Sequence, residues 1–256
     1  MADRLLPWLA GHDAVVFDLD GVLVDSNELK VVCMRTALAD FDPELVEDFL
    51  HEFRRTFGRS RREHFAAFHR EHLGGSGECS GFEDFFDRYA GAYAELLAER
   101  YRQVPLCAHA DELVRALTSL GAELHVATGT LTAEAEGVLA ARGLLDAFRS
   151  VRGGERPKAE RLGEILARTG AAPQRTVLVG DSRQDLTAAS AAGTGFLFVR
   201  RYAFFGASRT LGGSDAAGAH QVYDLDPAGA VLPASAPARD GETTPITVID
   251  GKARQR

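Results

Sequence analysis

The chain has little positive charge to spare, little cysteine and no long apolar run. Its 256 residues carry 29 Lys and Arg against 37 Asp and Glu, a formal net charge of −8. That balance argues against nucleic acid as a partner, because nucleic-acid binders usually carry a basic excess. Three cysteines, Cys33, Cys79 and Cys107, are odd in number and far apart. They form neither a disulfide framework nor a zinc pattern and read as free thiols of a reducing compartment. No stretch approaches the length of a membrane span, so no membrane partner is expected. The apolar start (Leu5, Leu6, Trp8, Leu9) is short, broken by Pro7 and preceded by an acid. It fits no signal peptide and reads as a short amphipathic segment packed on the core of a cytoplasmic protein. Lysine is scarce as well: Lys30 is the only one before Lys158.

What is present is apolar enough, at 45% hydrophobic residues, to bury a sizeable core. The most informative stretch is Ala14-Val15-Val16-Phe17-Asp18-Leu19-Asp20-Gly21. An apolar strand runs into two aspartates one residue apart, then a glycine that favours a turn. A second strand, Val177-Leu178-Val179-Gly180, runs into Asp181 and, four residues on, Asp185. Between them a strand at 123–127 ends in Thr128-Gly129-Thr130, and Lys158 opens a helix-like stretch. Carboxylates at the C-terminal ends of strands stand where α/β sheets place their ligands.

The periodicity divides the chain. Strand 14–17 is followed by helical pattern only, at 26–40, through the apolar positions from Leu45 to Phe68, and at 82–100. Gly74-Gly75-Ser76-Gly77 interrupts it. From about 104, helices and strands alternate: helix 110–120, strand 123–127, helix 131–142, a short strand near 148–151, helix 158–169, strand 176–180, helix 185–192 and strand 195–199. Such alternation predicts a doubly wound parallel sheet, an α/β fold of Rossmann-like type. The reading gives an α/β core from residues 1–23 and 104–227, a helical insertion at 24–103, and a loosely attached tail at 228–256 in which Thr247-Val248-Ile249 is the one short candidate strand.

The four acidic, hydroxyl and lysine motifs, in this order, resemble those of the haloacid dehalogenase-like (HAD) hydrolase superfamily over about residues 13–200. The helical block resembles the α-helical cap that some members insert after the first motif, in the phosphatase and phosphoglucomutase-like branch. The resemblance implies Asp18 as nucleophile and Asp20 as general acid and base. It implies Thr128, Gly129 and Lys158 as the phosphate-binding group. It also implies Mg²⁺ held by Asp18, Asp181, Asp185 and the backbone carbonyl of Asp20, hard oxygen donors that suit that ion. One departure stands out. Many relatives with this cap carry proline directly after the motif lysine, whereas Lys158 is followed by Ala159-Glu160 and preceded by Pro157.

The activity expected is a Mg²⁺-dependent phosphatase acting on a small phosphorylated metabolite through an aspartyl-phosphate. A phosphosugar mutase on the same fold is the alternative, and a catalytically inactive binding protein a weaker one. A phosphonate hydrolase would want a cap lysine for a Schiff base, and the sequence position of Lys30 gives that little support. Residues 51–72 hold six arginines against three glutamates, and four of the eight histidines. Most of these read as a solvated face. Gly58-Arg59-Ser60-Arg61 resembles the substrate loop of β-phosphoglucomutase relatives and makes Arg59 and Arg61 the expected specificity contacts. Cap residues set the substrate in this reading, and helical patterning does not fix their orientation.

Overall fold

The computed structural model describes residues 3–74, 81–204 and 218–236. A short helix α1 (Leu5–Ala10) leads into β1 (Ala14–Phe17). Four helices follow: α2 (Asn27–Ala37), α3 (Pro43–Arg55), α4 (Arg61–His72) and α5 (Phe82–Tyr101). Then come α6 (Ala110–Ser119), β2 (Leu124–Ala127), α7 (Thr132–Ala141), β3 (Ser150–Arg152), α8 (Lys158–Thr169) and β4 (Thr176–Gly180). The chain continues through α9 (Arg183–Ala192), β5 (Gly195–Val199), β6 (His220–Val222) and β7 (Leu232–Pro233).

The seven-stranded sheet has the order β3-β2-β1-β4-β5-β6-β7. Every neighbouring pair is parallel except β6 with β7. From β1 the chain winds outward through β2 to β3, then returns to lay β4, β5 and β6 on the other side. The direction reverses between β1 and β4, and the crevice beyond the C-terminal ends of those two strands is where open α/β sheets bind ligands. Both strands are buried at every residue, which is why they read as unbroken apolar runs. Alternate residues serve opposite faces. Val16, Leu178, Phe196 and Phe198 pack with Leu162 and Ile165 of α8 and Ala188 and Ala189 of α9. Val15, Phe17, Val177 and Val179 join the layer that contains Leu5, Leu9, Leu113, Leu117 and Leu139.

The helices α2–α5 lie in the chain between β1 and α6 and meet in an aromatic cluster. Phe68 stacks with Phe85 at 6.0 Å between ring centroids and meets Phe41 and Phe49 edge-on at 5.1 and 5.0 Å. Local signals start these helices as expected. The Asp42 carboxylate accepts from Glu44 N at 2.9 Å with Pro43 at the first helical position. Ser60 and Glu63 cap each other reciprocally at the start of α4.

Three features differ from the sequence reading. Helix α9 begins at Arg183 rather than 185, because Ser182 is its N-cap and Asp185 its reciprocal third residue. Strands β6 and β7 are too short to show a period. The first part of the segment expected to be loosely attached, residues 228–236, is tied in: Val231 is buried, its N–H donates to Asp3 O at 2.8 Å, and Leu5 N–H donates to Gly229 O at 2.9 Å. Pro233 is compatible with β7 because that strand is the sheet's edge. Thr247–Ile249 and Gly75–Gly77 lie outside the described residues.

Phe68 is fully buried among these rings. Phe68→Ala is expected to destabilise the protein by about 3–5 kcal/mol through lost burial and a cavity. Equilibrium urea unfolding monitored by circular dichroism measures it, and a loss below about 1 kcal/mol would mean that the cluster collapses to fill the space.

Candidate active site

The site is built at the crevice between β1 and β4. Asp18 directly follows β1, and its N–H donates to Val179 O at 2.8 Å, so the ladder to β4 continues as far as the carboxylate-bearing residue. Asp181 directly follows β4, and Asp185 lies in the first turn of α9. Oxygens from these three buried carboxylates all lie within 4.8 Å of one another. Lys158, the first residue of α8, reaches in with Nζ 3.0 Å from Asp18 Oδ1 and also bonded to Asp185 Oδ1. The other oxygen of Asp185 accepts from Ser182 N at 3.0 Å and Ser182 Oγ at 2.5 Å. Asp185 is thus braced on both oxygens, whereas Asp181 accepts from Asn27 Nδ2 at 3.1 Å. Gly21 makes the turn beside them with φ +75°, and a Cβ there would stand 2.1 Å from Asp181 Oδ2. Only glycine satisfies both the left-handed backbone and that approach.

Lys158 does not balance this negative charge. Burial pushes the Asp18 carboxyl up to about 6; Lys158 opposes that rise, and Asp185 and Asp20 add to it. Burial, with Asp185 and Asp18, pushes Asp181 well above the ordinary carboxylate range. Burial works against the Lys158 ammonium, but Asp18 and Asp185 outweigh it and hold its pKa above the usual lysine value. A converging set of hard oxygen donors short of positive charge is the chemistry of a divalent-cation site. The histidines at 51–72 form no comparable group: among the described residues, the one set with metal-ligand convergence is Asp18, Asp181 and Asp185. The Asp20 carboxylate is not part of it.

Asp20 is held from all sides instead. Its Oδ1 accepts from Ser26 Oγ at 2.5 Å and Tyr101 Oη at 2.7 Å. Its Oδ2 accepts from Lys30 Nζ at 2.5 Å, Thr130 Oγ1 at 2.8 Å and, more weakly, Thr128 Oγ1 at 3.4 Å. Burial works to raise its pKa, but Lys30 and these hydroxyls hold it below the ordinary carboxylate range. In this arrangement Asp20 is ionised. The sequence position of Lys30 had suggested no role, yet Nζ also donates to Thr130 Oγ1 at 2.6 Å and stands inside the site. Helical pattern placed Lys30 on α2 without saying which way α2 faces.

The loop after β2 supplies Thr128, Gly129 and Thr130. Thr128 is fully buried, and its hydroxyl accepts from Thr130 N at 3.2 Å. Thr130 and Gly129, rather than Thr128, line the cleft. Behind the loop, Arg161 sits one turn along α8 from Lys158, is buried, and donates from Nη1 to the Thr128 carbonyl. Burial lowers the Arg161 pKa from the usual arginine value, with Asp18, Asp185 and Glu155 opposing that shift. An added Cβ on Gly129 would lie 2.5 Å from Arg59 O. Glycine here lets the insert's loop lie directly on the loop after β2.

The insert roofs the site. A cavity of about 40 Å³ is lined by Asp18, Asp20, Asp181, Gly129 and Thr130 from below and by Lys30, Arg59, Arg61, His64 and Tyr93 from above. Arg61 and Arg59 are differently engaged. Arg61 Nη2 donates to both oxygens of Glu134 on α7 at 2.7 and 2.8 Å, and its guanidinium lies 4.9 Å over the Tyr93 ring. Arg59 has no ion pair or side-chain hydrogen bond among the described residues. His64 is buried, 4.5 Å from the Phe53 ring, and burial, reinforced by Arg59 and Lys30, drives its pKa down to about 3, so it is neutral.

Sequence reasoning found the residues at strand ends and missed those reaching in from helices: Lys30, Asn27, Tyr101 and Arg161. For Lys30 a signal existed, since a lone lysine in a lysine-poor half of the chain, ten residues beyond Asp20, is unusual. For Tyr101 and Arg161 there was none.

Residues 12–193 match the haloacid dehalogenase-like hydrolase family. The phosphoglycolate phosphatase of Chromobacterium violaceum is 31% identical over 227 residues, which is 83% of this chain and 95% of that protein. The phosphoglycolate phosphatase of Escherichia coli K12 is 29% identical over 205 residues, 70% of this chain and 77% of that protein. Among solved structures, a hydrolase from Pseudomonas syringae superposes with a TM-score of 0.67 at 20% identity, covering 84% of this chain and 94% of that one. CbbY from Rhodobacter sphaeroides, in complex with phosphate, superposes with a TM-score of 0.65 at 21% identity, covering 84% and 95%. The structural matches speak for the fold alone. With the family match spanning most of the chain, and the strand-end carboxylates and buried lysine already described, the chain belongs to the haloacid dehalogenase-like hydrolases.

Proposed function

We propose that this hydrolase is a Mg²⁺-dependent phosphatase that cleaves a small phosphomonoester through an aspartyl-phosphate on Asp18. The observation that carries the reading is the convergence of Asp18, Asp181 and Asp185 around the buried Lys158 at the switch point of the sheet. The phosphoglycolate phosphatase relatives support a phosphatase over the phosphosugar mutase, and the cavity of about 40 Å³ suits a leaving group of a few atoms.

In this mechanism Asp20, ionised in the resting site, takes up a proton from solvent as the substrate binds; an oxygen of Asp18 attacks phosphorus in line, and Asp20 gives that proton to the departing ester oxygen. Water then attacks the phosphorus of the aspartyl-phosphate, Asp20 takes its proton, and phosphate is released as Asp18 is restored. A divalent cation held by Asp18, Asp181 and the Asp20 backbone carbonyl, with Asp185 beside them, would neutralise the nucleophile and the phosphoryl oxygens. Lys158 keeps one oxygen of Asp18 fixed so that the other points at phosphorus. The phosphoryl oxygens are received by the Gly129 amide and Lys158, while the Thr128 hydroxyl, accepting from Thr130 N, braces the loop behind them. Arg161, through the Thr128 carbonyl, holds that loop in place. Helices α2–α5, residues 24–103 in the division of the chain, act as a cap. Arg59 faces the substrate, and Arg61, through Glu134, fastens the cap shut.

Asp18→Asn should fold normally and lose at least about a thousandfold in kcat. A purified, folded variant that kept more than about a tenth of wild-type activity would remove Asp18 as nucleophile. Stripping divalent cations with EDTA should abolish phosphate release, and Mg²⁺ should restore it.

Asp20→Asn should lose about 10²–10⁴-fold on alkyl phosphates and much less on activated aryl phosphates, whose leaving groups need no proton. Equal losses on both would rule out the general-acid role.

Arg161→Met should lower kcat/KM by about 10–100-fold by letting the Thr128 loop shift, and weaken inhibition by inorganic phosphate alongside it. Unchanged values for both, in a variant with wild-type melting temperature, would make Arg161 a structural residue only.

A further inference from the structure

Lys30 stands where no motif predicts a cation. It projects from α2 with its side chain 12% exposed, bridging Asp20 Oδ2 at 2.5 Å and Thr130 Oγ1 at 2.6 Å. It lines the same cavity as Asp18. Arg59, on the loop above Gly129, lines it too and has no ion pair among the described residues; the remaining cations of the site are committed elsewhere. Lys158 serves Asp18 and Asp185, Arg161 serves the Thr128 carbonyl, and Arg61 serves Glu134.

Lys30 differs from these in what its departure would leave behind. Asp20 would still accept from Ser26, Tyr101, Thr130 and Thr128, so its carboxylate would not be orphaned. The other paired cations leave less behind: without Lys158, Asp18 keeps the Leu19 N–H alone, and without Arg61, Glu134 loses its cation. A buried charge left without partners is strongly penalised, and hydrogen bonds that remain reduce that penalty. Among the cations already paired in this site, Lys30 is therefore the one whose partner keeps four other donors when it leaves, and its flexible stem suits the exchange.

Its location says which part of the ligand it would meet. In the proposed mechanism the ester oxygen must come within hydrogen-bond reach of Asp20. An acidic group one or two carbons beyond that oxygen then falls beside Lys30 Nζ. Such a group, entering a cavity of about 40 Å³ beside Asp20, needs a cation there.

We infer that Lys30 is a specificity-determining residue that binds a carboxylate on the leaving group, exchanging Asp20 for the substrate as its ion-pair partner. The inference rests on the phosphatase reading above and adds the chemical class of leaving group, a short hydroxy acid. The exchange takes the Lys30 ammonium off Asp20 Oδ2, which keeps Thr130 and Thr128, so an acidic leaving group both gains a partner and frees one position on that oxygen toward the ester. A neutral leaving group does neither.

The test compares phosphoglycolate with its uncharged amide, the phosphate ester of 2-hydroxyacetamide, in wild type, Lys30→Met, Lys30→Arg and Arg59→Ala. Wild type should prefer the acid in kcat/KM by about tenfold or more, the scale of one charge-assisted hydrogen bond. Lys30→Met should erase at least about tenfold of that preference. Lys30→Arg should retain part of it, which separates charge recognition from loss of structure. Three results would overturn the inference: a wild type that turns over both esters without preference, a Lys30→Met variant with the wild-type ratio, or the preference lost in Arg59→Ala and not in Lys30→Met. A wild type that releases phosphate from no ester at all, including aryl phosphates, would instead bring down the phosphatase reading on which the inference stands.

Discussion

Three carboxylates buried within 4.8 Å of one another are the constraint around which the core is arranged. Unaided, such a group repels itself and resists desolvation. The fold gathers compensation from every side. Lys158 enters from α8 and is buried with the acids. The N-terminus of α9 points its Ser182 N–H at Asp185, and Asn27 turns its amide toward Asp181. Arg161 adds a second cation behind the loop that follows β2. Even so, Asp18 and Asp181 keep raised affinities for a proton. A site that still lacks positive charge after all these contributions is poised for a cation rather than for rest.

Asp20 carries a different constraint. It is the junction at which the core and the helical insert meet. Ser26 and Lys30 approach from the start of the insert, Tyr101 from its last helix, and Thr128 and Thr130 from the loop after β2. A carboxylate braced from both chain crossings responds to any movement of the insert. The interface supports the same coupling elsewhere: the Gly58–Arg59 backbone lies directly on Gly129, and Arg61 reaches Glu134. The position of the insert and the orientation of the Asp20 carboxylate are thus set by the same contacts.

The sequence was most legible where burial on both faces made it repetitive. Strands β1 and β4 are buried at every position, so their apolar runs and the acids that end them stood out. Helix α8 could be bounded from its pattern because Pro157 starts it and Gly170, in the left-handed conformation, stops it. Strands β6 and β7 were invisible: three and two residues are too few for a period, and β7 contains a proline. The start of α9 was misjudged because a cap and a catalytic-looking acid are the same residues, Ser182 and Asp185, serving both ends at once.

The helical residues of the site were illegible for a further reason. A helix pattern reports which side of a helix is apolar, not what polar group its buried side meets. Arg161 is one turn from Lys158, and their shared face is the one turned toward the acids. Tyr101 is the last residue of a long helix whose tyrosines and phenylalanines all read alike as core. Its ring is indeed core, but its hydroxyl ends on Asp20, and burial with the nearby carboxylate pushes that hydroxyl's pKa well above its usual value. It is therefore a fixed donor at neutral pH. An aromatic with a polar tip can satisfy the hydrophobic pattern and the site together, and the pattern alone records only the first of these.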